Sequence, residues 1–167
     1  FGLGDLRAIG SGNTGATNVL RTGNKPAAFL TLVLDSGKGA AAVLVARMFG
    51  GEDIAGLAAL CAMIGHLFPV FLAFKGGKGV ATFLGTLLAL SFPVGIAACA
   101  TWLVTAVIFR FSSLSALVTA ALAPVFAYFL YHQHGAILVA LMSALIFLRH
   151  ASNIKRLLDG SEPKIGQ

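Results

Sequence analysis

Residues 93–109 read PVGIAACATWLVTAVIF, contain no charged side chain and are followed directly by Arg110. A helix needs about 20 apolar residues to cross roughly 30 Å of hydrocarbon. With five similar stretches, this one predicts spans at 26–49, 54–74, 79–90, 93–109, 114–131 and 135–148. The stretch at 79–90 is short for a crossing, so we expect it to be tilted or broken. The predicted fold is an all-α, polytopic membrane helix bundle with six spans in this chain.

The composition excludes most soluble classes. Hydrophobic residues make up 57% of the chain and charged residues 11%, whereas soluble domains carry roughly 25% charged residues. The net charge is +6, but the cations occupy short segments between apolar stretches rather than a polar surface. We therefore expect no nucleic-acid partner. No linker or low-complexity stretch interrupts the sequence, so residues 1–167 are expected to form a single integral-membrane domain.

The positions of the basic residues predict a topology. Lys and Arg occur in residues 1–25, in 75–78, at 110 and in the tail, whereas the connections at 50–53, 91–92 and 132–134 contain none. Basic loops are retained in the cytoplasm. We therefore expect the basic segments to share the cytoplasmic face.

Three glycine- and cation-rich stretches fall on that face. They are GSGNTGATN at 10–18, followed by Arg21, then FKGGKG at 74–79 and RHASNIKR at 149–156. Glycines let the backbone approach a ligand closely, and cations and unpaired N–H groups attract anions. Convergence of these stretches predicts a phosphate-binding site at the membrane surface.

The first two stretches match known nucleotide motifs only in part. The first contains G-x-G-x-x-G, but a dinucleotide site would also need a βαβ unit. We interpret it as a backbone cradle whose hydrogen-bonding groups are Ser11, Asn13, Thr14, Thr17 and Asn18, with Arg21 binding phosphate oxygens. The second stretch is not a Walker A loop. It precedes a predicted helix whose N-terminus favours an anion.

Other polar residues lie in or beside the predicted spans. His150 and Asn153 are three residues apart, which places them on one helix face and favours ligand contact. Asp35 and Lys38 also have helical spacing, and they fit either a structural ion pair or support for the site. His66 fits either a packed core histidine or a site residue.

Several catalytic signatures are absent from the sequence. It has no G-x-S-x-G elbow and no obvious nucleophile with a dedicated base. His132 and His134 lie on the opposite predicted face without a nearby cysteine or carboxylate, so we expect no metal site. The sequence indicates no cofactor.

In combination, the motifs resemble the acyl-phosphate-dependent glycerol-3-phosphate acyltransferases, often called the PlsY family. The resemblance covers essentially the whole chain. The matching residues are GSGN at 10–13, GATN at 15–18, Arg21, Leu34-Asp35, Lys38-Gly39, Gly65-His66, Phe68-Pro69, FKGGKGVAT at 74–82, Arg149-His150, Asn153, Arg156-Leu157, Gly160 and Glu162.

This resemblance implies a multi-pass enzyme of the bacterial inner membrane with its active site on the cytoplasmic face. It implies seven spans, so we expect an N-terminal span to be missing from this chain. The implied reaction transfers a fatty acyl group from acyl phosphate to the 1-hydroxyl of sn-glycerol 3-phosphate, giving lysophosphatidate and phosphate. Membrane lipids are the remaining expected partner.

The resemblance also implies site residues. The expected catalytic residues are Lys78, His150, Asn153 and Ser113. The expected substrate-binding residues are Gly10, Ser11, Gly12, Asn13, Thr14, Arg21, Lys75, Gly76, Gly77, Gly79 and Arg156. One departure concerns Ala116, because the family often has a serine at that position.

Two alternatives remain at this point. An organic-phosphate transporter would also surround anions with cations and helix N-termini, but typically near the midplane of inverted repeats. A non-catalytic lipid-binding subunit would use basic loops, but it would not need so many glycines. Because no strong protein base is visible, we hypothesise that the glycerol hydroxyl attacks directly and passes its proton to a substrate phosphate oxygen.

Overall fold

The computed structural model describes residues 4–10 and 12–166, and the regular structure in this part of the chain is entirely helical, as predicted. Short 3-10 helices cover Leu6–Ala8 and Val70–Leu72. The α-helices are α1 Ala16–Leu20, α2 Lys25–Leu67, α3 Val80–Leu90, α4 Phe92–Phe109, α5 Ser112–Leu130, α6 Gln133–Arg149 and α7 Ala151–Leu158.

Helix α2 is a hairpin of two antiparallel arms, not one straight rod. Gly51 interrupts it with φ 69° and ψ −160°, a conformation open mainly to glycine. Lys38 Nζ lies 2.6 Å from His66 Nδ1, whereas 28 residues of straight helix would separate them by about 42 Å. The first arm is 25–50 and the second arm is 52–67.

The second arm ends at Leu67, so the predicted span over 54–74 is too long. Pro69 disfavours helical geometry in the residue before it, and Phe68 has φ −131°. Ala73 and Phe74 then adopt left-handed conformations with φ 49° and 61°. Residues 68–79 therefore form a connection that brings the FKGGKG stretch back against the bundle.

Length and apolar composition support fewer clear crossings than the six predicted. Among the described residues, α2 with its continuation to Leu72, α4 and α5 are long and apolar enough to cross a membrane. The count rises to four if α6 and α7, which meet at a bend of 61°, are one span. Helix α3 has 11 residues, about 17 Å of helix, and is too short to cross alone.

The connections between helices lie at two opposite ends of the bundle, where polar contacts hold them. At one end, Arg47 donates to the Ala89 and Leu90 carbonyls and pairs with Glu52, which also accepts from Tyr131. This end holds the connections that contain no Lys or Arg. We call the opposite end, where the three glycine- and cation-rich stretches meet, the motif end.

Contacts between distant residues define the motif end. Arg7 donates to the Lys75 carbonyl (3.1 Å), and Lys78 donates to Asn153 (2.6 Å). Arg149 donates to the carbonyls of Gly76 and Gly77. The second and third stretches therefore meet as predicted, and Arg7 holds the segment before the first stretch against the second.

Close packing of the first arm against α3 predicts a stability effect. A Cβ atom on Gly85 would lie 2.7 Å from the Ser36 carbonyl carbon, whereas one on Gly37 would meet nothing within 4 Å. We expect Gly85→Ala to destabilise the protein by about 1–3 kcal/mol, because backbone cannot yield as a side chain can. Gly37→Ala is the matched control and should be neutral or stabilising. Thermal unfolding in detergent measures both, and equal melting temperatures would contradict this packing.

Candidate active site

A cavity of about 710 Å³ opens at the motif end and continues along the first arm, α3 and α4. Its character changes along its length. Polar lining residues come from the motif stretches, their neighbours and α2, namely Asn13, Thr17, Asn18, Arg21, Lys25, Asp35, Ser36, His66, Lys78, Ser112, Ser113, His150, Asn153 and Glu162. Apolar lining residues follow on the three helices, namely Phe29, Leu32, Val80, Leu84, Leu88 and Trp102.

A chain of four polar side chains links the second motif stretch to the tail. Lys78 Nζ donates to Asn153 Oδ1 at 2.6 Å, and Asn153 Nδ2 donates to Glu162 Oε1 at 2.7 Å. Arg156 Nε donates to Glu162 Oε2 at 2.7 Å. Asn153 is almost fully buried, and both of its amide atoms are engaged. This network therefore fixes where the Lys78 ammonium lies.

The Lys78 ammonium is a cation suited to bind an anion. Burial lowers its pKa to about 8. Attraction by Glu162 opposes this decrease, and repulsion by Arg156, Arg149 and Arg21 adds to it. Its hydrogen-bond partner is a neutral amide oxygen. Among the described residues, no carboxylate lies within ion-pair distance of it. A bound phosphate would supply the missing counter-charge.

Glu162 remains ionised despite its burial. Burial raises its pKa, but contacts with Ser113, Asn153 and Arg156 outweigh that effect and hold the pKa below its usual value. Ser113 Oγ lies near enough to contribute, although it makes no hydrogen bond of good geometry within the described part of the chain. This buried hydroxyl lines the cavity and is therefore able to bond a substrate.

His150 lies at the bend between α6 and α7 and is buried beside the same cavity. Its Nδ1 is 2.8 Å from the Ile146 carbonyl oxygen. Because a carbonyl only accepts, Nδ1 carries the proton, and in the neutral ring Nε2 keeps its lone pair. His150 and Asn153 both reach the cavity, as their spacing predicted.

The first motif stretch places three residues of its cradle, Asn13, Thr17 and Asn18, on the cavity wall. Ser11 lies outside the described residues. Gly10, Gly12 and Thr14 do not line the cavity. Gly10 has φ 52°, and a Cβ there would clash with Asn18 and Arg21.

Asn18 and Arg21 hold this part of the chain in place. Asn18 donates to the carbonyls of Leu6 and Ile9. Arg21 lines the cavity and donates to Asn18 and to the Pro163 carbonyl in the tail. The guanidinium therefore joins the first motif stretch to the tail at the cavity wall.

Most of the second motif stretch positions Lys78 and does not itself face the cavity. Lys78 and Gly79 line the cavity, but Lys75, Gly76 and Gly77 do not. Lys75 is exposed. A Cβ on Gly76 would clash with the His66 and Leu67 carbonyls, and one on Gly77 would clash with the His66 ring. Gly79 has φ 83° where α3 begins.

Three further residues do not line the cavity. Arg156 does not line the cavity, and it pairs with Glu162. Ala116 is buried away from the cavity. Ser115 donates to the Phe111 carbonyl and also does not line the cavity. Ser115, the neighbouring serine, therefore does not put a hydroxyl on the cavity wall in place of the serine that the family often has at position 116.

The sequence reasoning gave no settled role to Lys25, Asp35, His66 or Glu162, which all line the cavity. Glu162 belonged to the family pattern but received no role, although it completes the network to Lys78. Asp35 and His66 were left undecided between packing and function. Asp35 does form the ion pair with Lys38 (2.6 Å), and both Asp35 and His66 also line the cavity.

Comparisons with known proteins agree with this architecture. A family model described as glycerol-3-phosphate acyltransferase matches residues 1–160. A glycerol-3-phosphate acyltransferase of Jannaschia sp. is 65% identical over 167 residues, which are 100% of this chain and 82% of the relative. One from Rhodospirillum rubrum is 61% identical over 173 residues, covering 99% of this chain and 80% of the relative.

Two crystal structures of PlsY, described as an integral membrane glycerol 3-phosphate acyltransferase, are also similar. The glycerol 3-phosphate form matches with a TM-score of 0.92 and 38% identity, over 97% of this chain and 82% of that one. The lysophosphatidic acid form matches with a TM-score of 0.88 and 37% identity, over 93% and 81% of the two chains.

Proposed function

Because this chain belongs to the glycerol-3-phosphate acyltransferase family, we propose that it transfers a fatty acyl group from acyl phosphate to the 1-hydroxyl of sn-glycerol 3-phosphate. The products are lysophosphatidate and inorganic phosphate, as in the first step of bacterial phospholipid synthesis. One observation carries the proposal: a polar, cationic cavity end is continuous with an apolar groove. The similar PlsY structures with glycerol 3-phosphate and with lysophosphatidic acid support the substrate and the product.

The polar end of the cavity suits two phosphate groups. Both substrates are anions, so holding them together requires positive charge in a site of low dielectric. Lys78, Arg21 and Lys25 all line the cavity. Asn13 adds an uncharged hydrogen-bonding group. These residues would bind the head groups while the acyl chain lies along Leu32, Leu84 and the other apolar residues of the groove.

The transfer needs no acyl-enzyme, because acyl phosphate is already a mixed anhydride. The 1-hydroxyl oxygen forms a bond to the carbonyl carbon, and the bond from that carbon to the bridging oxygen breaks. Phosphate leaves with the electron pair, and the hydroxyl proton passes to a phosphate oxygen. His150 Nε2 and Ser113 Oγ orient the hydroxyl, and Lys78 stabilises the developing charge. An acylated side chain trapped during turnover would contradict this step.

The same architecture supports a proposal for how the protein lies in the membrane. We propose that the two arms of α2, then α3, α4, α5 and α6 form six membrane segments of a single domain. The motif end would face the cytoplasm across the bacterial inner membrane, because the basic connections gather there. The short α3 would cross only part of the bilayer and rest against the first arm.

A vesicle experiment separates this function from phosphate transport. Full-length protein in sealed vesicles receives labelled glycerol 3-phosphate and palmitoyl phosphate. We expect the label to enter a lipid-soluble product without accumulating in the lumen. Luminal accumulation without product would instead support the transporter. The cations that line the cavity, Lys78, Arg21 and Lys25, lie at its motif end, which favours the enzyme.

The Lys78 pKa predicts a pH dependence. The ammonium form binds phosphate, and burial lowers its pKa to about 8. The cation is therefore lost as the pH rises through about 8 instead of near 10.5. We expect kcat/KM, which reports the free enzyme, to fall above about pH 8 in steady-state assays of phosphate release. A flat profile up to about pH 9.5 would contradict the assignment of Lys78.

A further inference from the structure

His66 lies on the cavity wall in an environment that fixes its protonation. Its Nδ1 is 2.6 Å from Lys38 Nζ and 3.6 Å from Asp35 Oδ1. Lys38 is simultaneously paired with Asp35 at 2.6 Å. The three side chains form one cluster, which joins the first arm of α2 to the end of the second arm.

The cluster selects one tautomer of the imidazole. A lysine ammonium has three N–H donors and no acceptor. Contact with Lys38 therefore requires a lone pair on Nδ1, and the single proton of the neutral ring must lie on Nε2. Asp35 forms an ion pair with the same ammonium group. His66 is thus held as an Nε2–H donor, the opposite of His150, whose Nδ1 donates to the Ile146 carbonyl.

The donor lies beside the residue that carries the main cation of the site. Nε2 is the ring atom nearest to the position that a Cβ on Gly77 would occupy, and the two would clash. Gly77 immediately precedes Lys78. Within the described part of the chain, Nε2 makes no hydrogen bond, although the ring is largely buried and lines the cavity.

We propose that His66 is a further substrate-binding residue whose Nε2–H donates to a phosphate oxygen in the cavity, and that Asp35 and Lys38 are positioning residues that fix this tautomer. The inference rests on the proposed function. The phosphate could belong to glycerol 3-phosphate or to acyl phosphate, because both offer the same oxygen chemistry. An increase in KM for only one of the two substrates would identify which of them carries the phosphate that His66 binds.

Two substitutions of His66 separate binding from packing. A glutamine side chain at this position would keep an N–H donor near the place of Nε2, whereas an asparagine side chain is too short to reach it. We expect His66→Asn to raise KM for one phosphate substrate by about tenfold or more, the range for a hydrogen bond to a charged group. His66→Gln should bring this KM most of the way back to the wild-type value. His134→Asn, at an exposed histidine at the other end of the bundle, is the matched control and should change neither KM.

The full-length protein in detergent is used, with both KM values, kcat and the melting temperature measured for each variant. Suppose that kcat or the melting temperature falls equally in the two His66 variants while both KM values stay unchanged. His66 would then serve packing alone, and the inference would be overturned. Unchanged kinetics in both variants would also overturn it, while wild-type product formation would leave the proposed function intact.

A spectroscopic measurement tests the tautomer independently of activity. The chain has four histidines, and the His66→Asn variant assigns the His66 signals in 15N spectra of histidine-labelled protein. We expect an N–H signal from Nε2 and a lone-pair nitrogen at Nδ1. Lys38→Met should mix the two tautomers and raise the affected KM several-fold. A proton on Nδ1 in the wild-type protein would overturn the inference even if the enzyme were inactive.

Discussion

Replacing Lys78 with methionine is expected to lower kcat/KM for acyl transfer by about 100- to 1000-fold, the range for removing one preorganised donor from a developing charge. Methionine keeps a long unbranched side chain but has no ammonium. Asn153 would lose its donor, and the two phosphate groups would lose the cation that offsets their repulsion. Phosphate release in steady-state assays measures the effect.

Lys155 supplies the matched control for this substitution. It is an exposed lysine on α7 and does not line the cavity. Lys155→Met should therefore retain activity within about twofold, as a surface substitution usually does. A Lys78→Met protein that folds normally and retains more than a tenth of the wild-type kcat/KM would contradict the placement of Lys78 at the reacting groups.

Replacing Glu162 with alanine is expected to destabilise the protein by about 3 kcal/mol, because one partner of a buried ion pair is removed. We take the lower end of the usual range because Arg156 is partly exposed. Asn153 would also lose the acceptor that orients its amide. Activity should fall with stability, since the Asn153 oxygen that receives Lys78 would no longer be fixed.

Thermal unfolding in detergent, together with phosphate release, measures this second effect. Asp159→Ala removes another acidic residue of the same tail, but one that is exposed. It should leave the melting temperature nearly unchanged. Equal melting temperatures for the Glu162 and Asp159 variants would contradict a structural role for the network from Lys78 to Arg156.

Much of the topology could be predicted from the distribution of charge and apolar residues. The alternation of basic and uncharged connections predicted that the three motif stretches would share one end. Lys78 of the second contacts Asn153 of the third, and Asn13 of the first lines the same cavity. Helix ends were less predictable. Residues 68–74 are apolar enough for a span, but Pro69 and the left-handed Ala73 and Phe74 end the helix at Leu67.

The sequence could not predict which motif residues line the cavity and which pack against other segments. Glycine-rich stretches bind phosphate in many proteins, so Gly76 and Gly77 were expected to contact substrate. Instead, each lies against His66 so closely that a side chain would clash. Apolar periodicity cannot report such packing between residues of separate segments. For the same reason, the sequence did not indicate a role for Glu162. This residue reaches Asn153 only because the chain turns at Gly160, where φ is 73°.

The choice of acyl donor tests the central claim most directly. Full-length protein in detergent is supplied with glycerol 3-phosphate and with either palmitoyl phosphate or palmitoyl-CoA, and phosphate and lysophosphatidate are quantified together. We predict equimolar phosphate and lysophosphatidate from palmitoyl phosphate and no product from palmitoyl-CoA. Lysophosphatidate from palmitoyl-CoA, or no product from either donor in folded protein, would contradict this account.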